Sequence, residues 1–249
     1  MAEQPDNADA WYSTAQSHAR DGEQAQAVVA YSSVLEHDPN HVKALVGRGM
    51  ALQQIGEHEA AIRDFSDVIE RTPQWAGLYV AFYCRACSQK ALGRLEATIE
   101  DASRAIERNP NHIDALYLRG TVLKELGQTE NAIEDLSVVL QADPNYHEAY
   151  YARGTLFHLR GRWQEAVDDF SAFLEYTPAS DGIVTDCHRL RGIAAYELGQ
   201  HEAALADLSA AIESAPTDAT SYFRRSQVFQ SMGDAERAKE DFTKATSLS

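Results

Sequence analysis

The sequence predicts an all-α architecture of stacked helical hairpins, and three observations predict it. Six prolines, Pro39, Pro73, Pro110, Pro144, Pro178 and Pro216, fall 34, 37, 34, 34 and 38 residues apart. Seven glycines run in phase with them: Gly22, Gly56, Gly93, Gly127, Gly161 and Gly199 each stand 17 residues before a proline, and Gly233 continues the series. Between these markers apolar residues recur at helical spacing. Self-similarity at such a period means supersecondary units that cannot bury an apolar face alone and must stack.

Units of 34 residues, each ending two after its proline, run 8–41, 42–75, 79–112, 113–146, 147–180, 185–218 and, shortened, 219–249, leaving 1–7 as an N-terminal extension. Within each, glycine supplies the left-handed conformation that ends a first helix, and proline cannot continue the second, so a unit reads helix, tight turn, helix, break. The first unit departs most, with Thr14 and Ala15 where a large apolar residue and glycine are expected, and with His18 and Asp21 where later units carry mostly apolar residues. Asn40 opens the way to the second unit as a natural cap for its first helix, as do Asn111 and Asn145 for the fourth and fifth. The third unit follows an inserted Ala76-Gly77-Leu78, expected to lengthen a loop or a helix start. The fourth shows both amphipathic runs, Ala115, Leu116, Leu118, Val122, Leu123 and Leu126, then Ala132, Ile133, Leu136, Val139 and Leu140. The sixth follows a second insertion, Asp181-Gly182-Ile183-Val184. In the seventh, Lys239 and Thr246 replace the aliphatic pairs held at positions 21 and 28 of the other six, as a unit without a successor requires. A monomer that does not stack end to end is expected.

These residues resemble the tetratricopeptide repeat family. The fourth unit carries its pattern as Leu116, Gly120, Leu123, Gly127, Ala132, Leu136, Val139 and Pro144, and the fifth as Tyr150, Gly154, Phe157, Gly161, Ala166, Phe170, Phe173 and Pro178. The resemblance covers about residues 8–249 and implies a right-handed α-solenoid superhelix of seven helix-turn-helix hairpins, whose first helices line a concave groove for a peptide or partner helix. It further implies that positions 2, 5, 9, 12 and 13 of the first helices face inward. Position 5 holds Tyr12, Val46, Tyr83, Tyr117, Tyr151, Arg189 and Phe223, an aromatic ladder, with Met50 beside Val46. Lys90, Lys124 and His158 at position 12 give one edge, and Asp114, Glu148 and Asp186 at position 2 the other. Tyrosine is a frequent hot-spot residue, so this wall suits a segment with apolar anchors and charges. The alternative is that the tyrosines fill space between units. The lysine, asparagine and arginine set with which some members hold a terminal carboxylate is missing: the middle asparagine's place reads Ser13, Gly47, Cys84, Leu118, Ala152, Leu190 and Arg224.

Six units place arginine at position 7, Arg48, Arg85, Arg119, Arg153, Arg191 and Arg225, and aspartate at position 23, Asp64, Asp101, Asp135, Asp169, Asp207 and Asp241. The two positions are equidistant from the glycine turn, so an antiparallel hairpin sets them level. An ion pair inside each hairpin is expected, in preference to pairing with the preceding unit, which would leave Arg48 facing Ala30.

Chemistry is not expected. Cys84-Arg85-Ala86-Cys87 matches CxxC, but zinc wants four ligands, and Cys187 and His188 lie three units away, so structural cysteines are expected. No HExxH, phosphate loop or serine elbow appears. No catalytic residue, metal or cofactor is assigned. With 22 basic and 38 acidic residues, the formal charge of −16 disfavours nucleic acid and anionic membranes. MAEQPDNADA lacks a signal-like run, and three cysteines fit a reducing compartment, so a cytoplasmic location is expected. The expected function is a noncatalytic adaptor binding a protein or peptide; a structural component held through convex or end surfaces is the alternative.

Overall fold

A computed structural model describes residues 8–176 and 182–248; the expected extension 1–7, Pro178 and Asp181 lie outside them. By its internal contacts the chain divides into two compact units, residues 1–128 and 129–249. The first contains α1 (Ala8–Arg20), α2 (Gln24–His37), α3 (Val42–Gln54), α4 (His58–Arg71), α5 (Leu78–Ala91), α6 (Leu95–Arg108) and α7 (Ile113–Glu125). The second contains α8 (Thr129–Ala142), α9 (His147–Leu159), α10 (Trp163–Tyr176), α11 (Gly182–Glu197), α12 (His201–Ser214), α13 (Ala219–Ser231) and α14 (Ala235–Leu248). Among the described residues there are no strands. Hairpins form by packing α1 on α2, α3 on α4 and α5 on α6, and in the second unit α9 on α10, α11 on α12 and α13 on α14. Within each unit the second helix of one hairpin packs on the first helix of the next, so the architecture is an all-α solenoid.

The phased glycines do what their period requires. All seven adopt φ between 68° and 82°, and among the described residues no other residue type has positive φ. The following amide then closes the helix, as Arg94 N donates to Gln89 O and Arg162 N to Phe157 O, both at 2.9 Å. The asparagines do not cap. His41, His112 and Tyr146 occupy the caps of α3, α7 and α9, and the His41 ring accepts from Ala44 N. Asn40, Asn111 and Asn145 sit one residue earlier, each donating its own amide to the side chain two residues before it, Asp38, Asn109 and Asp143. The proline turn takes up the asparagine, which pushes the cap one residue on.

Both insertions lengthen a helix start. Trp75 folds over Gly77, where a Cβ would fall 2.5 Å from the indole, and Leu78 enters the core as the first residue of α5. Gly182-Ile183-Val184 form the first turn of α11, with Val184 buried.

Core positions repeat with the units. Position 20 is small and fully buried, as Ala27, Ala61, Thr98, Ala132, Ala166 and Ala204, which lets neighbouring helices approach. Four residues on, Tyr31, Phe65, Ala102, Leu136, Phe170 and Leu208 are buried as well. A fully buried Phe170 contributes about 1.5–3 kcal/mol of apolar transfer. Its ring needs Gly154 opposite, because a Cβ there would meet it at 2.9 Å. Lys239 and Thr246 are exposed, but the corresponding aromatic of the last hairpin, Phe242, is 50% exposed beside Phe223 at 6.3 Å, so that end is polar only in part.

The expected ion pairs form inside the hairpins that lie within one unit. Arg48 chelates Asp64 through Nε and Nη2 at 2.8 and 2.7 Å, and Arg85–Asp101, Arg153–Asp169, Arg191–Asp207 and Arg225–Asp241 repeat this geometry. Each Nη1 then donates to a serine of the preceding hairpin: Arg48 to Ser32, Arg85 to Ser66, Arg119 to Ser103, Arg153 to Ser137, Arg191 to Ser171 and Arg225 to Ser209, all at 2.9–3.2 Å. One arginine thus closes its own hairpin and clips it to the previous one. The chelating carboxylates hold the Arg48, Arg85, Arg153, Arg191 and Arg225 guanidinium groups above the usual arginine range, against the opposing effect of burial.

Candidate functional site

In each unit the first helices of successive hairpins come together, α1 against α3 and α3 against α5, then α9 against α11 and α11 against α13; second helices make no comparable pairs among the described residues. First helices are therefore the crowded, inner side of the stack within a unit. Proline turns and the Arg–Asp–Ser clips set their register.

In the first unit, Tyr12 packs between Tyr31 at 5.9 Å and the cap His41 at 5.0 Å, and its hydroxyl accepts from Gln16 at 3.3 Å. Val46, in the same register, is buried, whereas Met50 is 39% exposed. Tyr83 lies 4.7 Å from the cap His112, and burial, with Cys87 adding to it, pushes its phenol up. Tyr117 is half-buried. Lys90 reaches Thr121 Oγ1 at 3.2 Å and Glu125 at 3.7 Å. Lys124 is half-buried, and burial lowers its basicity.

In the second unit, the Tyr151 hydroxyl donates to Asp186 Oδ2 at 2.6 Å while its ring packs on Phe173 at 5.3 Å. Arg189 pairs with Asp186 and approaches Asp218 at 3.8 Å. The His158 ring stands edge-on to Trp163, with Nε2 shielded from solvent and unpartnered. Burial first, then Arg189 and Arg224, holds His158 below the usual histidine range. Phe223 is 39% exposed. Tyr12, Tyr83 and Tyr151 thus lean on the start of the following hairpin or on their own second helix.

The other candidate chemistry is muted by burial. It pushes the Cys84 and Cys187 thiols up to about 12 and raises Cys87, keeping them protonated and poor ligands or nucleophiles at neutral pH. Among the described residues no group of three or more His, Cys, Asp or Glu is placed to hold a metal ion. His188 Nδ1 lies 2.8 Å from Asp207, but the adjacent Cys187 points into the core, its Sγ 3.7 Å from Phe170 O. No described helix is long and apolar enough to cross a membrane.

The position-25 serines were the residues missed by the sequence reading, although their recurrence, Ser32, Ser66, Ser103, Ser137, Ser171 and Ser209, is as regular as that of the arginines they serve.

Family models for the tetratricopeptide repeat match residues 25–74, 83–147 and 117–181, and a second such model matches 219–249. The chain belongs to the tetratricopeptide repeat family. Among solved structures, this tetratricopeptide repeat protein is similar to one from Parabacteroides merdae, with 20% identity and a TM-score of 0.64 over 97% of this chain and 93% of that one. It is also similar to YrrB, described as a TPR protein with an unusual peptide-binding site, at 19% identity and TM-score 0.66 over 74% of this chain and 91% of that one. A MamA structure shares 27% identity at TM-score 0.61 over 68% and 90%. No curated protein sequence matches. The family is a repeat scaffold for protein interaction, and these similarities extend to fold.

Proposed function

We propose that the protein is a noncatalytic, monomeric adaptor, acting in the cytoplasm, that holds a peptide or partner protein against the inner faces of its first helices. The observation that carries this reading is the aromatic register: Tyr12, Tyr83, Tyr117, Tyr151 and Phe223 recur at the same position of five first helices, and none of the five is fully buried. Such rings combine apolar area with a polar edge at little entropic cost, which suits hot spots. Met50, Lys90, Lys124, His158 and Arg189 vary the wall around them, with Val46 as apolar floor. The peptide-binding site in the description of YrrB is in keeping with this use of the fold. The acidic surface turns away nucleic acid and anionic membranes.

A second reading, a structural component held by its end, is favoured by the exposed Phe223–Phe242 pair of the last hairpin. Affinity capture from native lysate with wild type, Tyr83→Ala and Tyr117→Ala, and Phe242→Ser separates the two. The adaptor reading requires that the tyrosine variants lose the partner at unchanged helicity; loss with Phe242→Ser alone contradicts it.

A further inference from the structure

The inner face of the first unit is divided in chemistry. From its first hairpin to Cys84 of its third runs a pocket of about 440 Å³ walled by Gln24, Tyr31, Gly47, Met50 and Gln54 and free of charged side chains. Its floor depends on Gly47, since a Cβ there would fall 2.4 Å from the Tyr31 ring. The amide of Gln53, at its edge, is already spent, donating to Cys84 O at 2.7 Å and Ser88 Oγ at 2.8 Å. Met50 stands on the rim, so the open volume suits an uncharged apolar side chain.

Farther along the same face two lysines differ in their bonding. Lys90 is answered by Glu125 and Thr121. The Lys124 side chain is half-buried yet makes no hydrogen bond or ion pair among the described residues, and the favourable charge nearest it in sequence, Glu125, already pairs with Lys90. A partly desolvated charge without a partner is costly, and an incoming carboxylate relieves that cost. In a chain of net charge −16, a lysine whose side chain has no hydrogen bond or ion pair on a candidate binding face is informative.

We propose that the first unit reads a partner segment bearing an aliphatic side chain for the Met50 pocket and, at a fixed spacing from it, an acidic side chain for Lys124. This rests on the groove reading and adds its specificity: one end selects by shape and lack of charge, the other by sign, which also fixes the direction in which the segment lies.

The test is a peptide array in which a single leucine, or alanine in its place, is fixed in a Gly/Ser background and Glu, Ala or Lys is scanned across the remaining positions. It is probed with the full chain as wild type, Lys124→Gln, Lys124→Glu, Met50→Glu and Tyr83→Ala, each first shown by circular dichroism to be folded. At one spacing the wild type should bind the Glu peptide roughly fivefold to tenfold tighter than its Ala counterpart, the scale of a partly exposed charge pair. Lys124→Gln should erase that ratio, Lys124→Glu should turn it toward Lys, and Met50→Glu should remove the dependence on leucine. A Glu preference that survives Lys124→Gln, or equal binding of the three peptides by wild type, overturns the inference. Binding that is lost in Tyr83→Ala but indifferent to the acidic residue overturns the inference and leaves the groove reading standing, whereas no bound peptide at all overturns both.

Discussion

Removing the guanidinium of Arg153 strands Asp169, whose side chain is 6% exposed and whose two oxygens both take their hydrogen bonds from that group. An uncompensated buried charge of this kind costs on the order of 3–5 kcal/mol. Ser137→Ala removes only one acceptor of Arg153 and should cost about 1 kcal/mol. Urea denaturation checks both, and equal losses would mean that the clip is not organised around the carboxylate. Asp207 carries an extra partner. Burial pulls its carboxyl upward, but hydrogen bonds from His188 and Arg191 outweigh this and hold it below the usual range. A depressed carboxyl adds stability that is present above the unfolded value and lost as pH falls through the folded one. His188→Ala should therefore destabilise at pH 7 by about 1–2 kcal/mol, with the difference from wild type shrinking below about pH 4. A difference constant from pH 7 to pH 3 would contradict the assignment. The arginine and aspartate were legible in the sequence because both count equally from one glycine. The serine was not, because its partner lies in the next hairpin and its hydroxyl also bonds back along its own helix, as Ser137 does to Ile133 O.

At the scale of the element, helix ends were legible wherever one residue type alone can supply the geometry. Gly161, at φ 68°, meets no neighbouring atom closer than 3.6 Å, so Gly161→Ala is opposed by backbone conformation rather than by a clash. It should lower stability by about 1–2 kcal/mol in thermal melts, the cost of left-handed backbone in a non-glycine residue. Gly154→Ala should cost stability by another route, since its Cβ would meet Phe170 at 2.9 Å, and Phe170→Leu in the same chain should recover part of the loss. No recovery would mean that the ring does not set the spacing of α9 and α10. Helix starts were harder to read, because asparagine satisfies a proline turn and a cap equally well; the turn claimed Asn40, Asn111 and Asn145 and left the caps to His41, His112 and Tyr146. Likewise the register of the tyrosine ladder was visible. How much of each ring is spent on the neighbour was not, because His112 beside Tyr83 and Asp186 beside Tyr151 belong to the following hairpin.

Among the described residues the hairpins of each unit pack on their neighbours in sequence, so stability is built locally and a partner's footprint stays where it lies. First helices and second helices offer two different faces, one aromatic and mixed in charge, the other carrying exposed acidic residues such as Glu96 and Glu100. The central claim is that the first of these faces is the working one. Hydrogen exchange read by mass spectrometry, with and without a captured partner, tests it most directly. Slowed exchange should concentrate in α1, α3, α5 and α7, or in α9, α11 and α13, with the even-numbered helices unchanged. Protection confined to α2, α4, α6 and the other second helices, or to α14 alone, would contradict it.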